Sequence, residues 1–202
     1  RAWAKKTGND VLSVETEKGL VTVQIRKGKS APALPAASAA QLLPARDKTT
    51  LVVFSGDLDK VMASLIIANG ALAMGQQVSL FFTFWGLNVL RRADAPALNK
   101  PFMDKMFGVM MPKGVGKLDS ISKMNFGGLG AKLIRKVMRD KRVDEAESLL
   151  KNLQEGGARL IACQMSMDVM GIRHEELIEG VEIGGVAAFL GEAQQSTTTL
   201  FI

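Results

Sequence analysis

Apolar and polar positions follow two different rhythms along this chain. Near the start, Val21, Val23 and Ile25 alternate with Thr22, Gln24 and Arg26, the period-two pattern of a half-buried antiparallel strand. The pattern predicts strands over Val11–Glu15 and Leu20–Arg26, joined by Thr16-Glu17-Lys18-Gly19. It also predicts a helix end over Arg1–Gly8, with Gly8 as its stop. Such a hairpin is too small to bury a core by itself and needs a further surface. Residues 28–48, rich in Ala, Pro and Ser, read as a linker.

From Thr49 onward the strands become apolar on both faces. Thr49–Ser55 and Val78–Phe84 bracket a helix over Leu58–Met74, with Asp57 as its expected cap and Gly75 as its stop. A third strand, Ala158–Cys163, follows a helix ending at Gly156-Gly157. Strands of this kind alternating with helices imply an α/β fold with a mostly parallel sheet covered on both faces. The apolar stretch Val61–Leu90 suggests a membrane hairpin at first sight. However, Val61–Met74 is too short for a span and Asn69-Gly70 breaks it, so a soluble core is expected and no stable membrane insertion.

Residues Leu87 to Arg142 interrupt the alternation as a Met/Gly-rich helical insertion, with methionines at 103, 106, 110, 111, 124 and 138. Gly127-Gly128-Leu129-Gly130 opens a helix whose apolar face would be Leu129, Leu133, Ile134, Val137 and Met138. Lys132, Arg135, Lys136 and Arg139 would face away, as a solvated face or a docking patch for an acidic protein. Phe102 to Gly130 is too apolar for a free loop of that length. It should bury against the parent domain or a neighbouring subunit, and a subunit contact that also walls Cys163 is the favoured expectation.

Charge and composition narrow the function. The 202 residues carry a net charge of +6, which points to acidic partners. Aromatic residues make up 5% and there is no tyrosine, so stacking platforms are scarce and no nucleic acid is expected as a partner. No cofactor or metal motif stands out. One cysteine excludes a disulfide framework and fits a reducing cytoplasm. The chain starts at Arg1 and reads as a piece of a longer protein.

That cysteine, Cys163, closes a buried strand and is followed by Gln164-Met165-Ser166-Met167-Asp168, a loop passing into a helical turn. Side chains at the carboxyl ends of parallel strands open into the crevice where such sheets bind ligands. A helix amino end favours anionic sulfur, the nucleophilic form of a thiol. Lone cysteines are as often inert packing residues. His174, the single histidine, has polar neighbours and reads as a surface residue at a helix start rather than a partner for the thiol. Asp168 reads as a helix or turn cap.

Several blocks in order resemble the DsrE/DsrF/DsrH-like sulfur-relay family, in the branch that carries the name peroxiredoxin. They are Thr50 to Lys60, Phe81-Phe82-Thr83-Phe84-Trp85-Gly86, Met110-Met111-Pro112, Ser122-Lys123-Met124-Asn125 and Cys163 to Gly171. The resemblance covers residues 49–202, and residues 1–27 resemble the C-terminal half of a TusA/SirA-like domain without its cysteine. It implies a Rossmann-like or flavodoxin-like fold, homo-oligomers and sulfur carried on Cys163. Donor and acceptor partners would be TusA-like or rhodanese-like proteins.

The reading that follows is a sulfur carrier or sulfurtransferase working through a persulfide on Cys163, with Gln164, Met165, Ser166 and Gly56 as candidate substrate-binding residues and no cofactor. The alternative is a non-catalytic oligomeric binding subunit of a sulfur-relay or coenzyme A-disulfide reductase assembly. Thiol peroxidase activity is discounted, because the Pro and Thr positions of a Pro-x-x-x-Thr-x-x-Cys pattern hold Gly156 and Leu160.

Overall fold

A computed structural model describes residues 10–17, 20–26, 48–96 and 98–202. The helix expected over residues 1–8 lies outside them, as does the linker expected over 28–48 except for its last residue, Lys48, which is the first residue of a strand instead. The chain divides into two units between Ala45 and Arg46. In the first, β1 (Asp10–Glu17) and β2 (Leu20–Arg26) pair antiparallel, each reaching as far as or farther than the alternation predicts. Val14 stands opposite Val23 and both are exposed.

In the second unit the apolar runs become β3 (Lys48–Val53), β4 (Gln77–Phe82), β5 (Arg159–Cys163), β6 (Val181–Gly184) and β7 (Thr198–Phe201). They form one fully parallel sheet in the order β6-β5-β4-β3-β7. This is the α/β architecture that the two-sided apolar strands imply. Strands β3 and β4 end earlier than predicted for a visible reason. The amides of Phe54 and Ser55 turn to the carbonyl of Ile202, and after Thr83 the chain tightens into a short 3₁₀ turn, Phe84–Gly86.

Side chains alternate across a strand, so the register sorts the sheet into two faces. Leu51, Val53, Leu80, Phe82, Leu160 and Ala162 join the larger core. They pack with α1 (Leu58–Ala73), whose Leu58, Val61, Met62, Leu65 and Ala68 recur at helical spacing, and with Leu149, Leu150 and Leu153 of α5 (Ala146–Glu155). The Asn69 amide donates to the carbonyls of Leu65 and Leu149 at 2.8 and 3.0 Å, so a residue that looked like a break in the sequence couples α1 to α5. Between β4 and α5 run α2 (Leu87–Leu90), α3 (Phe102–Met110) and α4 (Leu129–Asp140).

The opposite face carries Lys48, Thr50, Val52, Ser79, Phe81, Arg159, Ile161 and Cys163. It is graded along the strands. At the amino ends, Glu192 accepts from Ser79 and pairs with Lys48 (2.8 Å) and with Arg159. At the carboxyl ends, Val52, Phe81, Ile161 and Cys163 form an apolar cluster covered by Phe189. Glu192 and Phe189 both belong to α7 (Val186–Gln194), and Glu192 is the one residue of that helix that is buried. A charged clamp holds one end of α7, while its other end rests lightly over the cysteine.

Candidate functional site at the carboxyl edge of the sheet

Cys163 is the last residue of β5 and the N-cap of α6 (Gln164–Met170), as the strand-then-helix pattern predicts. It does not open into a crevice. It is 2% exposed, because its side chain falls on the Ile161 face beneath α7. A cavity of about 380 Å³ lies elsewhere, at the amino ends of β3, β4 and β5, lined by Lys48, Gln76, Ser79 and Arg159 among others. It is at the wrong end of the strands for this thiol.

The candidate residues separate on inspection. Ser166 is fully buried and its hydroxyl shares a 2.7 Å hydrogen bond with that of Thr83, the residue after β4. Gln164 is exposed and donates to Asp168 at 3.0 Å, and Met165 is exposed beside it. Asp168 therefore lies within α6 as the partner of Gln164 rather than capping the helix, which Gly171 ends at φ 63°. Gly56 follows β3 with the Trp85 backbone against it, where a Cβ would meet the Trp85 carbonyl at 3.1 Å. Ser166 and Gly56 thus both sit at the carboxyl edge. His174 is exposed at the start of a 3₁₀ turn, His174–Glu176, while Cys163 is buried.

The register adds a feature not read from the sequence. Cys163 pairs with Gly184, and Gly185 is the N-cap of α7. Two helix amino ends, those of α6 and α7, therefore start from adjacent strand ends at the cysteine. A Cβ on Gly184 would stand 2.9 Å from Ile161 and 3.0 Å from Ala188, so glycine lets α7 close over this corner. The signal was present as Gly184-Gly185 between a short strand and a helix, but only strand order sets it beside β5. The backbone amides of a helix's first turn have no intrahelical acceptor and are suited to an anion.

A family model described as DsrE/DsrF/DrsH-like matches residues 45–201. The chain belongs to this family. It is 46% identical over 155 residues to the uncharacterised protein YrkE of Bacillus subtilis, covering 77% of this chain and 96% of that one. It is 32% identical over 161 residues to the sulfur carrier protein DsrE2 of Allochromatium vinosum, covering 77% and 98%. Among solved structures, the protein of unknown function MTH1491 from Methanobacterium thermoautotrophicum superposes with a TM-score of 0.47 at 15% identity, over 77% and 98% of the two chains.

Most of the blocks that carry the DsrE-like resemblance have architectural work in the structure. Asp57 occupies the N-cap position of α1, yet its carboxylate accepts from Ser120 (2.7 Å) and Lys60 (2.9 Å) rather than from helix amides. Asp59 likewise accepts from the Ser122 amide at 3.0 Å, so the acidic pair pins the middle of the insertion, ahead of α4. Burial pushes both carboxyls up, but Ser120 and Lys60 at Asp57, and the Ser122 hydroxyl and amide at Asp59, outweigh it and hold the two below the ordinary value of 3.8. Met111 and Pro112 offer their carbonyls to the buried Arg91 guanidinium, as does Gly108 at 3.0 Å. Arg91 also faces Glu176 at 3.6 Å, and Glu176 pairs with the buried Lys100. Lys100 in turn donates to the carbonyl of Gly171 at the end of α6. One buried carboxylate thus ties the insertion to the helix that begins at Cys163.

Proposed function

We propose that the protein carries sulfane sulfur as a persulfide on Cys163. One observation carries the reading: the chain's single cysteine stands where two helix amino ends meet at the carboxyl edge of a parallel sheet. Family membership and a relative named as a sulfur carrier support a role in sulfur relay. The thiolate of Cys163 attacks the outer sulfur of a donor persulfide. The new S–S bond forms on Cys163 as the donor's S–S bond breaks, and the donor leaves as a thiolate. An acceptor thiolate then attacks the outer sulfur on Cys163 and restores it. No electrons are gained or lost overall.

First-turn amides of α6 would face the anionic sulfur, with Ser166 and Thr83 bracing that turn rather than touching the cargo. Access comes by displacement of the amino half of α7, where Phe189 packs against the apolar cluster. Donor and acceptor would be small carrier proteins of TusA-like or rhodanese-like type in a reducing compartment. Assembly of copies would use the apolar edge formed by Phe54, Trp85, Phe201 and Leu190, all exposed.

Intact mass after exposure to a low-molecular-weight persulfide tests the proposal. The expected result is a gain of one sulfur atom, absent in Cys163→Ser and reversed by an acceptor thiol. The burial of Cys163 favours a second reading, a binding subunit in which the thiol is inert. That reading holds if the wild type gains no sulfur while still assembling with relay proteins.

A further inference from the structure

Helix α3 is built inside out. No residue of it is buried. Its inward positions are Asp104, against which Gly171 packs, and Gly108, whose carbonyl accepts from Arg91. Phe102 and Val109 point outward at 78% and 81% exposure, with Met103 and Met110 also exposed. Helix α4 repeats the arrangement. The sequence predicts Leu129, Leu133, Ile134, Val137 and Met138 as its buried face, yet Ala131 is the one buried residue of this helix, and Met138 is half-buried.

Arg135 is turned toward the body, donating to the carbonyls of Val115 and Leu118. Leu129, Leu133 and Val137, four residues apart, make one exposed ridge, and the exposed Lys132, Lys136 and Arg139 run beside it. Phe126 and Met124 extend the apolar surface ahead of α4. Of the segment expected to bury against the parent domain or a neighbouring subunit, Met111, Val115 and Leu118 do enter the parent core, with Ile121 packed against it. The apolar side chains of α3, of Met124 and Phe126 and of the α4 ridge do not, and inward polar contacts to Arg91, Ser120 and Ser122 help hold the segment with those side chains outward.

Charge separates the possible occupants of this surface. Between residues 102 and 142 there are ten lysines and arginines against three aspartates and no glutamate, a net +7. The whole chain carries +6, so this segment holds all of the excess positive charge. Two copies meeting through it would bring like charges together. A helix with an apolar ridge, a lysine- and arginine-rich flank and low overall hydrophobicity is the form that lies in the plane of a membrane interface. There the ridge enters the acyl boundary and the basic flank meets anionic headgroups. No helix among the described residues is long and apolar enough to cross a membrane, and lying in the interface requires none.

We propose that α3 and α4 together form a docking surface for an anionic lipid bilayer. Contact would be peripheral and reversible, with the Lys132–Lys136–Arg139 flank drawing the protein to the surface and Phe102, Phe126, Leu129, Leu133 and Val137 anchoring it.

Co-sedimentation of the full chain with vesicles of phosphatidylglycerol and phosphatidylcholine, against vesicles of phosphatidylcholine alone, tests this. The expected result is at least tenfold more protein on the anionic vesicles at 0.1 M salt. Lys132→Glu with Lys136→Glu should abolish the preference. Leu133→Gln with Val137→Gln, which leaves the charge unchanged, should reduce binding at least tenfold while leaving the melting midpoint unchanged, since both side chains are already exposed. Absence of binding to anionic vesicles overturns the proposal. So does binding that the Leu133/Val137 pair leaves intact, which would be surface charge alone. A mass by light scattering that falls when the same pair is changed also overturns it, because a second copy would then be the occupant.

Discussion

The hydroxyls of Thr83 and Ser166 share a 2.7 Å hydrogen bond, buried between the end of β4 and the first turn of α6. It fixes the turn that follows Cys163. Ser166→Ala should leave the Thr83 hydroxyl buried without this partner and cost about 1–3 kcal/mol. Adding Thr83→Val should recover part of that loss, because both partners are then apolar. Urea unfolding of the two single variants and the double variant completes the cycle, and a double loss equal to the sum of the two single losses would mean the pair contributes nothing specific.

Phe189 is the lid contact over Cys163, its ring tilted against that of Phe81 with centroids 5.5 Å apart. Phe189→Ala should loosen the amino half of α7 locally. A loss of 1–2 kcal/mol there would raise the alkylation rate of Cys163 roughly five- to thirty-fold. The rate with a maleimide reagent at fixed pH reads this directly. An unchanged rate would mean the thiol is reached by another path.

Two glycines report on close backbone approach. At Gly86 a Cβ would lie 2.0 Å from the Val53 carbonyl oxygen, a clash with backbone that cannot swing aside. Gly86→Ala should cost about 3 kcal/mol or more, or prevent folding. Gly184→Ala meets only side-chain carbons near 3 Å and should cost about 1–2 kcal/mol. It should also shift α7 and change the rate of sulfur uptake at Cys163. Melting midpoints of the two variants give the ranking.

Glu176 should be the residue that links acid stability to the insertion. Burial pushes its carboxyl up, but the hydrogen bond from Lys100, the Arg173 amide and the two cations outweigh it, so it lies below its ordinary 4.5. Glu192 is lowered in the same way by Lys48 and Ser79 against its burial. A carboxyl depressed on folding stabilises the fold above its unfolded value and loses that contribution as pH falls through the folded value. Stability from both groups should therefore be complete at neutral pH and decline below about 4.5. Glu176→Gln, which leaves Arg91 and Lys100 buried beside a neutral group, should cost about 3–5 kcal/mol at pH 7. It should also flatten the acid slope. Urea midpoints between pH 7 and pH 3 measure both effects.

A chain starting at Arg46 should melt cooperatively near the midpoint of the full chain, since it retains Lys48 and its pairing with Glu192. Starting at Thr49 removes that cation and should lower the midpoint by several degrees. Calorimetry of the two shortened chains separates a unit boundary from a packed segment.

The α/β architecture was legible because two-sided apolar strands can only be buried in a covered parallel sheet, and Thr50 to Phe54 and Leu160 to Cys163 admit little else. The place of Cys163 at a strand end was legible for the same reason. Its burial was not, because that follows from the order β6-β5-β4-β3-β7, which carries α7 across to the Cys163 face. Asp57 shows the same limit: local pattern made it a helix cap, and Ser120, sixty-three residues away, took its carboxylate instead. The amphipathic period of α4 was plain in the sequence, but period alone does not say which face turns inward. Arg135, held by the carbonyls of Val115 and Leu118, decided that, and it left the leucine ridge facing out.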